Sequence, residues 1–266
     1  MDVPGWAPVI LAGVFGLLIG SFLNVVIWRV PRGESIVSPP SACPGCGAHI
    51  RPWDNVPVVS WFVLRGRCRD CRAPVSSRYP LVEAGTGLAF AAVTWWAGAS
   101  WVLPALLYLA AVTVALTLID LDHRRLPDAI VLPSYVVVAA LLALAAWSPG
   151  SDASWGRLLG AGLGGLAMFV AYALMVLAYP KGMGLGDVKL AGVLGLVLGW
   201  YGWAAVAIGF FAAFLVGGLF SIALIVTGRA TRASKVPFGP WMFLGAWVGI
   251  TAGERIWQAY LSVMGL

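Results

Sequence analysis

Residues 101–148 read WVLPALLYLAAVTVALTLIDLDHRRLPDAIVLPSYVVVAALLALAAWS, two long apolar blocks separated by one short charged joint. At a rise of 1.5 Å per residue, a block of about twenty residues crosses a hydrocarbon core about 30 Å thick. The same pattern recurs along the chain. It gives eight candidate spans near 7 to 28, 80 to 98, 101 to 120, 129 to 148, 157 to 179, 187 to 200, 202 to 227 and 240 to 262. The joints at Gly98 to Trp101 and Trp200 to Gly202 are so short that their flanking helices must form antiparallel hairpins. Composition agrees: of 266 residues, 61% are apolar and 11% charged, where a soluble domain carries about 25% charged residues. The expected fold is an all-α polytopic membrane protein, divided as a first helix (1–28), a cytoplasmic insert (29–79) and a seven-helix membrane core (80–266).

The net charge of +6 does not point to nucleic acid, because the basic residues cluster in a few loops. Eight lie between Arg29 and Arg78. With alternating spans, Arg124, Arg125, Lys181, Arg229, Arg232 and Lys235 fall on that same face, so fourteen of the 17 basic residues share it. The positive-inside rule makes this face cytoplasmic and the start, Met1 to Trp6, extracytoplasmic. The first basic residue follows the first apolar block, which argues for a retained helix rather than a signal peptide. Glycine-rich runs such as Gly160-Ala-Gly-Leu-Gly-Gly165 and Gly217-Gly218 read as close helix packing.

All four cysteines fall in the insert, as Cys43-Pro-Gly-Cys46 and Cys68-Arg-Asp-Cys71. A segment of this size builds little core, and a structural metal is the usual remedy. On the reducing side of the membrane, two CxxC pairs make a tetrahedral thiolate zinc site. His49 is a weaker ligand candidate, since four cysteines already close the shell. His123 reads as a solvated loop residue. Arg65, Arg67, Arg69 and Arg72 surround the second pair, where they favour thiolates or meet anionic headgroups.

Of the eleven acidic residues, Glu83, Asp120, Asp122, Asp128 and Asp187 approach the cytoplasmic boundary, where each calls for a reason. Asp120 directly follows the apolar run Ala110 to Ile119, whereas Asp122 lies about 200° further round the helix beside His123 and two arginines. Asp128, after Pro127, fits an N-cap for the next span. Asp187 sits in Lys181-Gly-Met-Gly-Leu-Gly-Asp-Val-Lys189, a glycine-rich helix entry that taken alone is also a hinge or a weak anion site. Two carboxylates at one depth on different helices meet the needs of hydrolysis by an acid pair, one ionised and one protonated. Helix polarity suggests Asp187 as base and Asp120 as acid. A proton-coupled transporter using the same two residues is the rival reading, and a non-catalytic, zinc-bearing factor that docks its partner through the insert is another.

Further landmarks follow in order: Gly20-Ser-Phe-Leu-Asn-Val-Val-Ile27 with Arg29, the two CxxC pairs, Asn55-Val-Pro-Val-Val-Ser-Trp61, and Arg78-Tyr-Pro-Leu-Val-Glu83. After these come Asp120 with Leu126-Pro-Asp128, then Gly184-Leu-Gly-Asp187-Val-Lys189, and Pro237-Phe-Gly-Pro240. The ordered set resembles the type IV prepilin peptidases, related to the GxGD intramembrane aspartyl proteases, over nearly the whole chain. The resemblance implies that Asp120 and Asp187 are the catalytic aspartates, with Gly184, Gly186, Lys189, Pro237 and Gly239 as supporting residues. It implies prepilins and pseudopilins as substrates, cut on the cytoplasmic side after a glycine. It also implies methylation of the new amino terminus with S-adenosylmethionine, linked to the cysteine insert, although a peptidase without this activity is the alternative. Its methyl-donor pocket is not assigned; Glu83 and Gly20 to Asn24 are candidates by position only. Residence in a bacterial cytoplasmic membrane, contact with lipids and absence of nucleic-acid binding follow. A prepilin's apolar helix cannot leave the bilayer cheaply, so such a protease must bring its acids to the interface.

Overall fold

The computed structural model describes residues 5–148, 153–180, 182–229, 231 and 236–265. The expectations for Lys181, Arg232, Lys235 and the extreme amino terminus lie outside the described residues. Nine α-helices are found among the described residues: α1 Ala7–Arg29, α2 Val59–Val63, α3 Arg78–Ala97, α4 Leu103–His123, α5 Asp128–Trp147, α6 Trp155–Ala178, α7 Leu185–Tyr201, α8 Trp203–Val226 and α9 Gly239–Met264. Apart from the short α2, they coincide with the eight expected spans. Five are both long and apolar enough to cross a bilayer: Ala7–Arg32, Leu103–His123, Asp128–Trp147, Trp155–Ala178 and Trp203–Val226. The outward faces are as apolar as the interior; Val136, Leu177 and Phe211 are 72%, 75% and 66% exposed. Such surfaces are tolerated where the solvent is lipid, and the protein is a multi-pass membrane protein.

The helices form two compact units, 1–115 and 116–266. In the first, α1 packs on α3. Gly13 meets Ala91, Gly16 meets Phe90, and Gly20 meets Glu83, so the two helices run antiparallel.

In the second unit, α5, α6, α8 and α9 all pack on α7. This sheathing explains why α7, at 17 residues and carrying Asp187 and Lys189, is buried from Val188 to Val197 almost without interruption. The α6–α7 seam is built of glycines at four-residue spacing. A Cβ on Gly164 would lie 2.7 Å from both the Gly195 carbonyl oxygen and the Gly199 Cα, and Gly199 faces Gly160. Glycine costs about 1 kcal/mol relative to alanine inside a helix. Backbone-to-backbone dispersion recovers that cost where no larger residue fits. The α8–α9 seam repeats the device, with Gly245 against Ala213 and Gly249 against Ala205. Gly162 and Gly218 face open space, so the packing role belongs to only part of each glycine run.

Two local expectations are corrected. Asp128 is not a cap: Pro127 occupies the N-cap, and Asp128 is the first residue of α5. Its carboxylate instead takes both its hydrogen bonds from Lys189 Nζ, each 2.8 Å, while Tyr135 donates its hydroxyl to the Lys189 carbonyl at 2.6 Å. A side chain on α7 outcompetes the local backbone because it brings a charge. Second, α4 does not stop at Asp120 but continues to His123, and the Arg124 N–H bonds the Asp120 carbonyl at 2.8 Å. His123 is therefore an exposed helix end rather than a loop residue.

Gly195→Val tests the seam. Its new atoms would drive into the Gly164 carbonyl and Met168 Cβ, and overpacking of this kind costs about 1–3 kcal/mol. Thermal unfolding in detergent is expected to show a lowered midpoint, whereas Gly218→Val, in open space, leaves it unmoved.

Candidate functional site

One end of the second unit gathers the last turn of α4 and the first turns of α5, α7 and α9. Asp120, in that last turn of α4, is 5% exposed. Its Oδ2 accepts the N–H of Gly239, the first residue of α9, at 2.9 Å. A Cβ on Gly239 would stand 2.8 Å from the same oxygen, so only glycine lets backbone and carboxylate meet. Pro237 leads into this start and Pro240 occupies its first turn, where a missing N–H is harmless. Phe238 packs at a tilt against Phe214 and Tyr172, at 5.0 Å and 6.5 Å between ring centres, which pins the helix start.

Asp187 is the third residue of α7. Its Oδ2 accepts the N–H of Gly184, the N-cap residue, at 3.0 Å, and the Asp187 N–H returns to the Gly184 carbonyl at 3.1 Å. This is the acidic half of a capping box. Gly186 is closed in by Leu126, whose Cβ would be 3.2 Å from an added Cβ. Lys189, two residues on, is committed to Asp128. Asp187 lies within electrostatic reach of the Asp120 carboxyl. Gly186, next to Asp187, and Gly239, bonded to Asp120, both pack against Leu126, so the two sequence-identified acids share this end of the unit, while Asp122 is exposed.

The geometry removes the basis for assigning acid and base by helix polarity. Asp120 is not at a bare helix carboxyl end, and both carboxylates receive an N–H from the positive end of a helix. Sequence reasoning also missed Tyr172 of α6. It is fully buried, ringed by Phe210, Phe214 and Phe238, and within electrostatic reach of Asp187. The one available signal was a lone hydroxyl in the apolar stretch Met168 to Leu177.

In the first unit, the four cysteines form a separate cluster. All four sulfurs lie within 4.8 Å of one another, with Cys43 and Cys71 3.7 Å apart. Two matching turns hold them. The Cys43 N–H bonds the Ala48 carbonyl and the Cys68 N–H the Ala73 carbonyl, each five residues on. Gly47 and Arg72, which follow the second cysteine of each turn, both adopt positive φ, 72° and 61°. The N–H groups of Gly45 and Cys46 pull the Cys43 thiol down to about 7, toward the thiolate a metal requires, while at Cys46 the Ala48 N–H is outweighed by the other sulfurs, which push that thiol up. The set can hold one metal ion, and His49 is not part of it.

Comparison with known proteins places both units. Residues 14–97 match the Bacterial Peptidase A24 N-terminal domain, and residues 106–222 match the Type IV leader peptidase family. A protein of Stutzerimonas stutzeri named prepilin leader peptidase/N-methyltransferase is 35% identical over 96% of this chain and 94% of its own length. Proteins of the same name from Pseudomonas aeruginosa and Aeromonas hydrophila are 35% and 37% identical, over 95% and 97% of this chain and 93% and 95% of theirs. No solved structure matches. With both family domains in order and relatives aligned from end to end, the chain belongs to the type IV leader peptidase family.

Proposed function

We propose that this protein is a membrane aspartyl endopeptidase that removes the leader from type IV prepilins and pseudopilins after a glycine. It then methylates the exposed amino terminus with S-adenosylmethionine. The observation that supports the peptidase reading is the convergence of Asp120 and Asp187, from different helices, around Leu126, each steadied by a backbone N–H. Like charges held close favour a state in which the pair shares one proton. The ionised carboxylate takes a proton from water as its oxygen attacks the scissile carbonyl. The protonated partner delivers its proton to the substrate, the C–N bond breaks, and the leaving amine departs protonated. Gly184, Gly186, Pro237 and Gly239 serve by letting backbone approach the two acids, and Lys189 by tying α7 to α5.

The cysteine cluster is suited to structural zinc. A tetrahedron with Zn–S bonds of about 2.3 Å has sulfurs about 3.8 Å apart, and Cys43 and Cys71 are already at 3.7 Å. A disulfide needs about 2.05 Å. With eight basic residues between Arg29 and Arg78, the insert faces the cytoplasm of a bacterial inner membrane. The amino terminus is then extracytoplasmic.

Purified protein incubated in detergent with a prepilin and S-adenosylmethionine is expected to yield a product lacking the leader and heavier by one methyl, read by mass spectrometry. Asp120→Asn and Asp187→Asn should each lower leader cleavage by about 10²–10⁴-fold, and the wild-type rate should fall on both sides of a pH optimum because either change of protonation spoils the shared proton. Full cleavage by either variant would refute the acid pair. Gly239→Ala is expected to reduce the turnover number by about 10²-fold, the scale of a displacement near 1 Å in a catalytic group, with the substrate KM little changed. For the metal, elemental analysis should find one zinc per chain. Cys43→Ser with Cys71→Ser should remove it and open the insert to trypsin at its arginines.

A further inference from the structure

The methyl donor has no assigned place in this family member, and the first unit contains a cavity of about 640 Å³ between the insert and the ends of α1 and α3. That volume lies within the roughly 300–1,000 Å³ of small-molecule sites. The second cavity, walled by Tyr135, Phe169 and glycines, is about half as large and nearly devoid of polar groups.

What marks the larger cavity is Glu83. This residue of α3 lines it yet is only 8% exposed. Its Oε2 accepts the N–H of Val58 at 2.7 Å, and the Ser21 hydroxyl also bonds the carboxylate. Both donors are neutral, so the negative charge is solvated without being cancelled. The arrangement is not relaxed. Val58 holds φ at 63°, a conformation that β-branched residues almost never adopt, and its N–H points at Glu83 as a result. Gly20 admits the Glu83 backbone, since a Cβ there would be 2.7 Å from the Glu83 Cα. Strain and a glycine contact are thus both used to keep a carboxylate dry at the wall of a cavity. Charge buried this way is costly unless something positive answers it.

Three residues of a wall that also carries Glu34, Asp54 and Arg69 fit such a partner. Trp61 lines the cavity as an aromatic partner for a cation or a base, its indole N–H bonded to the Val75 carbonyl at 3.0 Å. Asn24, its amide bonded to the Tyr79 carbonyl, adds polar lining, and Arg67 brings a guanidinium suited to a carboxylate. A ligand with a cationic centre, an aromatic base and a carboxylate tail fits this set.

We infer that the cavity framed by Glu83, Trp61 and Arg67 is the binding site for the sulfonium methyl donor, with Glu83 as counter-charge to the sulfonium. This rests on the methyltransferase half of the proposed function. In the transfer, the amine lone pair forms the N–CH₃ bond while the S–CH₃ bond breaks and its electron pair stays on sulfur. The ammonium form of the substrate releases one proton to water, and sulfur leaves neutral. Glu83 therefore favours the charged donor over the neutral thioether product, which promotes product release.

Equilibrium binding of S-adenosylmethionine and S-adenosylhomocysteine to the purified full-length protein tests this. Glu83→Gln should weaken the methionine form about tenfold or more, the scale of one lost charge-assisted contact, and the homocysteine form far less, with zinc content reporting that the insert is folded. Independently of any variant, ultraviolet cross-linking of radiolabelled S-adenosylmethionine to the wild-type protein should mark a peptide containing Trp61. Label confined elsewhere, or equal loss of both ligands in zinc-replete Glu83→Gln, overturns the site. A wild-type protein that cleaves the leader but neither binds nor transfers the methyl donor overturns the methyltransferase reading itself.

Discussion

A carboxylate at the end of an apolar helix bundle must be supplied with hydrogen bonds by its own protein, because lipid offers none. For Asp120 that supply is one backbone N–H, from Gly239, and much of the second unit can be read as the means of delivering it. The peptide group has to come within 2.9 Å of the side chain, which excludes any Cβ at that position. It must also arrive at a helix start, where an N–H has no carbonyl partner within its own helix. Phe238, wedged among Phe214 and Tyr172, holds that start in place. The aromatic cluster is therefore part of the support of the acid pair and not merely filling.

The same economy governs α7. A helix carrying Asp187 and Lys189 is a poor candidate for contact with lipid, and here it is sheathed by four neighbours. Surrounding one helix so closely requires small residues on both sides of the seam. Gly164, Gly195 and Gly199 meet that need on the α6 side, and Gly249 together with Gly209 brings α9 and α8 close to Leu198. Packing and the placement of Asp187 are coupled through this helix: its glycines let α6 close against it, and its Lys189 reaches Asp128 on α5.

How much of this was legible in the sequence depends on the range of the interaction concerned. Apolar blocks of bilayer length announce themselves locally, and all eight long helices fall where the hydropathy placed them. Paired CxxC spacings are equally local, and the four sulfurs do converge. Asp120 and Asp187 could be singled out because each interrupts or opens an apolar run. Their partners, Gly239 and Gly184, could be named only through the family resemblance, and their hydrogen bonds not at all. Gly239 lies 119 residues from Asp120, and nothing in Pro237-Phe-Gly-Pro240 by itself announces a hydrogen bond to a carboxylate. Asp128 was misread for a related reason: the local rule for aspartate before a helix is an N-cap, and a lysine 61 residues away overrode it. Glu83 and the inverted backbone at Val58 belong to the same class, a contact between segments whose local patterns are silent about each other.

Helix polarity illustrates how a sound local principle can be defeated by context. Viewed along α4 alone, Asp120 lies near a negative helix end and Asp187 at a positive one, which would make them unlike. The folded protein places the amino end of α9 against Asp120, so that each carboxylate receives one N–H from a helix start. Two acids in matching hydrogen-bond settings are not told apart by the backbone. In the hydrolysis proposed for this pair, the asymmetry must then come from what approaches them: the side on which the scissile carbonyl settles and the carboxylate to which it leaves the attacking water. Two carboxylates in matching backbone settings gain a direction only from what binds beside them.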